Sequence, residues 1–186
     1  MSCHVGDWDQ CAALVDTTMD ELGRIDVLVN NAGIAPVPPS LVDVTEDLFD
    51  KTIAVNLKGP LRLGALAAEH MPAGGSIINI SSKASLHPTS STVVYAAAKA
   101  GLNALTKAAA AELGPRGIRV NAIVCGTFHT DSLHASLPTE AMQAQMAANV
   151  SLGRIASPDE IVGTALYLAS DASSYLTGEL ILLDGG

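Results

Sequence analysis

Short runs of aliphatic and β-branched residues recur between longer stretches with helical apolar spacing, and this alternation limits the folds open to the chain more than any other feature. Strands separated by helix-length connections must lie parallel, because only such a crossover returns the chain to the same end of a sheet. Asp7 or Asp9 can cap a first helix, in which Cys11, Leu14, Val15 and Leu22 keep a 3.6-residue period until Gly23 ends it. Val27 to Val29 read as a buried strand, followed by a loop containing Pro36, Pro38 and Pro39. Thr45, Glu46 and Asp47 open a helix that must be interrupted around Asn56, since Gly59-Pro60 removes a backbone donor. Ser76 to Ile80 form the next strand, with Gly74 and Gly75 as the helix-to-strand turn before it. A long helix runs from about Val93 to Leu113, stopped by Gly114-Pro115, and Ile118 to Val124 give another strand. Ser157-Pro158-Asp159-Glu160 is a capping box with proline at the first helical position, and Glu179 to Leu183 close the sheet. The expectation is an α/β fold, a doubly wound parallel sheet with helices on both faces, in a single domain over residues 1–186.

Composition narrows the function. A net charge of −9 over 186 residues argues against nucleic acid, which selects basic patches. No apolar run reaches the roughly 18 uncharged residues of a membrane helix. The opening Met-Ser-Cys-His-Val-Gly-Asp lacks the basic and apolar regions of a secretory leader, so a cytoplasmic location is expected. Cys3, Cys11 and Cys125 are three and lack metal-ligand spacing; they read as reduced thiols, and no metal is expected.

Chemistry enters with Tyr95-Ala-Ala-Ala-Lys99. Residues at i and i+4 share a helix face, so the Lys99 ammonium can lie beside the Tyr95 phenol and lower its pKa from about 10 toward neutrality. A phenol tuned that way gives or takes a proton near pH 7. Ser82, at the end of the Ser76 strand, can hydrogen-bond a substrate oxygen and share the charge that develops there. Taken alone, the Tyr-x-x-x-Lys pair is also compatible with plain surface decoration of a helix.

Other motifs keep company with this triad. Asn30-Asn31-Ala32-Gly33 follows the strand around Val27; Asn56 lies in Val55-Asn56-Leu57-Lys58-Gly59; Asn79-Ile80-Ser81 leads into Ser82. Later come Arg119-Val120-Asn121-Ala122-Ile123 before Cys125-Gly126, the pair Asp159-Glu160, and Leu182-Leu183-Asp184-Gly185-Gly186. In this order and spacing the set resembles the short-chain dehydrogenase/reductase family, from about Cys3 to Gly186. The resemblance implies a Rossmann-like sheet and a hydride exchanged between NAD or NADP and a small to medium carbonyl compound or secondary alcohol. Tyr95 would be the acid/base, assisted by Ser82, Lys99 and Asn56.

Further roles follow from the same resemblance. The Asn56 backbone would hold a water linked to Lys99, and Lys99 would also bond the nicotinamide ribose. Asn30, Ala32 and Gly33 would approach the adenosine side. The stretch Cys125, Gly126, Thr127, Phe128, His129, Thr130 would hold the nicotinamide carboxamide, with cysteine where the family has proline. His4-Val5 stands where the family has Asp-Val against adenine. Met142 and Met146 would belong to a lid, while Lys83, His87, His129 and His134 lie near the presumed mouth and read as solvated or anion-binding. Alanines at 96, 97, 100, 104, 108 and 111 flank the catalytic helix, which family members pair across a two-fold axis, so a homodimer or homotetramer is expected.

The family's glycine-rich first turn has no counterpart in the sequence, and the chain reads as N-terminally truncated relative to it. That leaves the Val27 strand as an apolar edge. A fragment or mis-started frame, a true short form that covers its edge by self-association, and a missing part supplied by another polypeptide all remain open. So does a non-catalytic reading, an assembly or interaction module built on the same fold.

Overall fold

The computed structural model describes residues 2–131, Leu133, Leu137 and 139–186. Its centre is a four-stranded parallel sheet in the order β1-β2-β3-β4, formed by Val27–Asn30, Ser76–Ser82, Arg119–Cys125 and Leu180–Leu183. The expected doubly wound α/β architecture is present. Helix α1, Trp8–Leu22, is capped by Asp7, whose carboxylate accepts from the amides of Asp9 and Gln10, and ends at Gly23 with φ 73°. Helix α2, Glu46–Ile53, is capped by Thr45, and α3 spans Gly59–His70. The expected interruption between them is a π-helical turn at Ala54–Lys58, which absorbs the proline without ending the helix. Helix α4 is Val93–Leu113, α5 is Glu140–Ala148 and α6 is Val162–Ala169, the last entered through the Ser157 capping box and a short 3-10 turn.

Strand β2 organises the layers because its side chains alternate. Ile77 packs with Ala67, Ala110, Leu113 and Val120 beneath α3 and α4, whereas Ile78 and Ile123 meet Leu168 of α6 on the opposite face. Two further positions on the α4 side are polar. Asn79 donates to Thr106 at 2.9 Å and accepts from Asn30 at 2.8 Å, and Ser81 donates to Asn103 at 2.6 Å. Buried polar groups of this kind remain tolerable only when their partners are satisfied. The strand is also longer than the sequence indicated, because Ser81 and Ser82 stay in register with Val124 and Cys125.

Strand β1 lies at the sheet edge, as expected. Leu28 packs inward against α1 and α3, while Val27 and Val29 remain 39% and 46% exposed on the other face. Among the described residues no helix is long and apolar enough to cross a membrane.

Candidate active site

The carboxyl ends of β1, β2 and β3 open onto a cavity of about 470 Å³, within the usual range for a small-molecule site. Its wall includes Gly33, Ser82, Tyr95, Lys99, Cys125 and Thr130. Ligands in open α/β sheets bind at these strand ends because the loops there diverge. Ser82 comes from the end of β2, Tyr95 and Lys99 from one face of α4, and Cys125, Gly126, Phe128 and Thr130 from the segment leaving β3. Residues far apart in the chain thus converge as the motif order implied.

Lys99 is almost wholly buried and donates from Nζ to the Ile80 carbonyl at 2.7 Å. Burial lowers its pKa to about 8. Its ammonium stands 5.8 Å from the centroid of the Tyr95 ring. The expected depression of the Tyr95 pKa is not found. Burial raises it above 10, and the hydrogen bond with Ser82 offsets this only in part. The physical reason lies in the direction of the lysine: helix spacing sets the shared face, but the Lys99 donor is directed to a strand carbonyl. Burial likewise lifts the Cys125 thiol to about 11, against the pull of Lys99, which keeps it in the unreactive thiol form.

Asn56 sits inside the π-helical turn with its side chain fully buried. Its Nδ2 donates to the carbonyls of Ile34 at 2.8 Å and Thr52 at 2.9 Å, and its Oδ1 accepts from the Ile34 amide at 3.3 Å. The side chain therefore ties the loop after β1 to the interrupted helix. Gly33 is placed by the same tie. A Cβ there would lie 3.0 Å from Asn56 Oδ1 and 3.6 Å from Lys99 Nζ, so the glycine keeps open the space beside the ammonium. Gly126 is equally constrained, since a Cβ would come within 2.6 Å of Asp184.

Other expected positions are placed differently. Asn30 is buried and donates to Asn79, and with Ala32, Val5 and Leu63 it lines a separate small cavity of about 50 Å³ beside β1. Lys83 is not a free cation at the mouth, because its Nζ is 2.6 Å from the Asp184 carboxylate. His87 and His129 are exposed, and His134 lies outside the described residues. Met142 and Met146 lie on α5 and are not in the cavity wall, which instead takes Ile34, Leu133 and Ile161. Those three carry no motif; their apolar character was the only signal. Among the described residues no group of three histidines, cysteines or carboxylates is placed to hold a metal ion.

A family model described as enoyl-(acyl carrier protein) reductase matches residues 1–186. The chain is 40% identical over 185 residues to the 3-oxoacyl-(acyl-carrier-protein) reductase FabG of Thermotoga maritima, covering 98% of this chain and 74% of that protein. It is 39% identical over 189 residues to the L-rhamnose 1-dehydrogenase (NAD(P)(+)) of Azotobacter vinelandii, covering 100% of this chain and 73% of the relative. A blue fluorescent protein from a metagenomic library, solved in complex with NADPH, superposes with a TM-score of 0.92 at 34% identity, over 99% of this chain and 73% of its own. The chain belongs to the short-chain dehydrogenase/reductase family, a family of NAD(P)-dependent oxidoreductases.

The residues fit the nicotinamide part of such a cofactor. The cavity is of suitable volume, its floor beside Lys99 is kept open by Gly33, and a buried ammonium is available to ribose hydroxyls.

Proposed function

We propose that Tyr95 is the general acid and base of a carbonyl reductase or secondary-alcohol dehydrogenase, working with Ser82, Lys99 and Asn56. The observation that carries this reading is the convergence of Tyr95, Ser82 and Lys99 on one cavity. In the reduction direction Tyr95 gives its proton to the substrate oxygen while Ser82 donates a hydrogen bond to the same atom. Lys99 holds ribose hydroxyls and adds positive charge near that oxygen. The Asn56 backbone lies in a π-helical turn, and its carbonyl would hold a water leading to Lys99. Cys125, Gly126, Phe128 and Thr130 hold the nicotinamide end; Gly33, expected on the adenosine side, lies beside Lys99 and is assigned to the nicotinamide end with them, while Asn30 and Ala32 lie toward the adenosine end. When bound, the nicotinamide supplies or accepts the hydride.

Calorimetric titration of the 186-residue chain with NADH and with NADPH, followed by a panel of small ketones monitored at the nicotinamide absorbance, tests this reading. Saturation near one cofactor per chain with ketone-dependent oxidation of the cofactor is the expected result. Binding of neither cofactor would sink it.

A homodimer or homotetramer belongs to the same reading. Pro60, Leu61, Gly64, Ala65 and Ala68 of α3 face Ala108 of α4 across a groove of about 320 Å³, and Ala97, Ala100, Ala104, Ala108 and Ala111 leave the outer side of α4 exposed and smooth. Small side chains allow two such helix pairs to approach closely. Light scattering on the eluting protein should return a mass of twice or four times 19.0 kDa. A monomer, or a dimer undisturbed by Ala104→Glu, would count against pairing along this face.

A further inference from the structure

The geometry points to Asn103 as a positioning residue for Ser82, acting through Ser81 and Ser85. The inference rests on the reading above, in which Ser82 orients the substrate oxygen.

Tyr95, Lys99 and Asn103 stand at i, i+4 and i+8 on α4 and therefore share one face. The first two reach the cavity; the third reaches the two residues that flank the Ser82 turn. Asn103 Oδ1 accepts from Ser81 Oγ at 2.6 Å. Its Nδ2 donates to Ser85 Oγ at 2.8 Å, and Ser85 in turn donates to the Ser82 carbonyl at 2.6 Å. Ser81 and Asn103 are both buried, so neither bond is exchanged for water at little cost.

The location matters because β2 ends at Ser82. Up to that residue the backbone is held by register with β3, in which Ser82 faces Cys125. Beyond it the chain turns through Lys83–Ser85, and this turn supplies the Ala84 amide that donates to Ser82 Oγ at 3.2 Å. That bond ties the Ser82 hydroxyl oxygen, in the cavity wall, to the turn. The sheet cannot fix the turn side of Ser82, and Asn103 does so through Ser85.

The direction of every proton is also set. Ser81 must donate to the amide oxygen, and the amide nitrogen must donate to Ser85, whose own proton goes to the Ser82 carbonyl. Only a side chain with an acceptor and a donor on one planar group satisfies both serines. Leucine would fill the volume with neither function, and aspartate would keep the acceptor but lose the donor. A side chain held by such second contacts is what keeps a reacting group within fractions of an ångström of its working position.

Steady-state kinetics of Asn103→Leu, Asn103→Asp and Ser85→Ala, each alone and combined with Ser82→Ala, provide the test. Each single variant should lose about 10- to 100-fold in kcat, the scale of a misplaced catalytic group, with the KM for cofactor unchanged. In the Ser82→Ala background the same substitutions should have no further effect, because the group they position is gone. An undiminished kcat, or an equal loss in both backgrounds, would overturn the inference. Ser85 lies in a turn, half-exposed, so Ser85→Ala serves if substitution of the buried Asn103 prevents folding. Amide hydrogen exchange at Ala84 gives a readout independent of turnover, and it should be faster in Ser85→Ala and Asn103→Asp than in the parent. Unchanged protection there would overturn the link. A parent without oxidoreductase activity whose variants still show faster exchange would sink the functional reading and leave the link from Asn103 to the Ser82 turn standing.

Discussion

Tyr95→Phe should abolish most turnover while leaving the chain folded, with kcat lowered by about 10²- to 10⁴-fold, the usual contribution of a positioned acid or base. The substitution removes one oxygen and keeps the ring that packs beneath Lys99. The phenol is held above its ordinary pKa by burial, so it stays protonated through the neutral range. It is then ready as an acid in carbonyl reduction, whereas alcohol oxidation needs the small phenolate fraction. Log kcat for oxidation should therefore rise with pH across the neutral range with a slope approaching one, while reduction stays flat. Both profiles should collapse in Tyr95→Phe. A variant that turns over normally in either direction would remove Tyr95 from the chemistry, whatever its pKa.

Part of the Tyr95 and Lys99 arrangement was legible in the sequence and part was not. The face shared by Tyr95 and Lys99 was legible, because i,i+4 spacing on a helix is fixed by backbone geometry. The direction of the Lys99 ammonium was not, because a lysine side chain has several rotatable bonds and its choice of Ile80 depends on where β2 ends. The strands were legible as aliphatic runs, and only their ends were misjudged. Ser81 and Ser82 lie past the aliphatic run Ser76 to Ile80, yet tertiary partners on β3 and α4 keep them in the strand. Asn79 and Ser81 broke the apolar pattern visibly, but nothing in the sequence names Thr106 and Asn103 as the residues that satisfy them. Lys83 read as a solvated cation because Asp184 is remote in sequence; the parallel sheet brings the ends of β2 and β4 to the same side with β3 between them, and the lysine reaches the carboxylate across that end. The apolar wall made by Ile34, Leu133 and Ile161 depends on loops whose course follows from packing alone.

Lys99→Met should separate function from stability in opposite directions. Activity should fall at least as far as in Tyr95→Phe, since the proposed mechanism gives Lys99 both the positive charge near the substrate oxygen and the ribose contact. The fold, however, should become more stable at neutral pH. Burial lowers the lysine pKa from 10.5 to about 8, a cost to the charged form of about 3 kcal/mol at roughly 1.4 kcal/mol per unit. Loss of the bond to the Ile80 carbonyl takes back about 1 kcal/mol or more, which leaves a net gain on the order of 1–2 kcal/mol. The sign with pH follows from proton counting. Between about pH 8 and 10.5 the unfolded chain binds the Lys99 proton and the folded chain does not, so on account of this group the parent gains stability as pH rises. The cost is fully present below about pH 8 and gone above about pH 10.5. The advantage of the methionine variant should thus be largest at neutral pH and shrink through that window. Paired urea titrations at neutral pH and near pH 10 measure it. A variant less stable than the parent, by a margin independent of pH, would mean that the Ile80 bond outweighs the buried charge and that Lys99 is held there for the fold as well as for the chemistry.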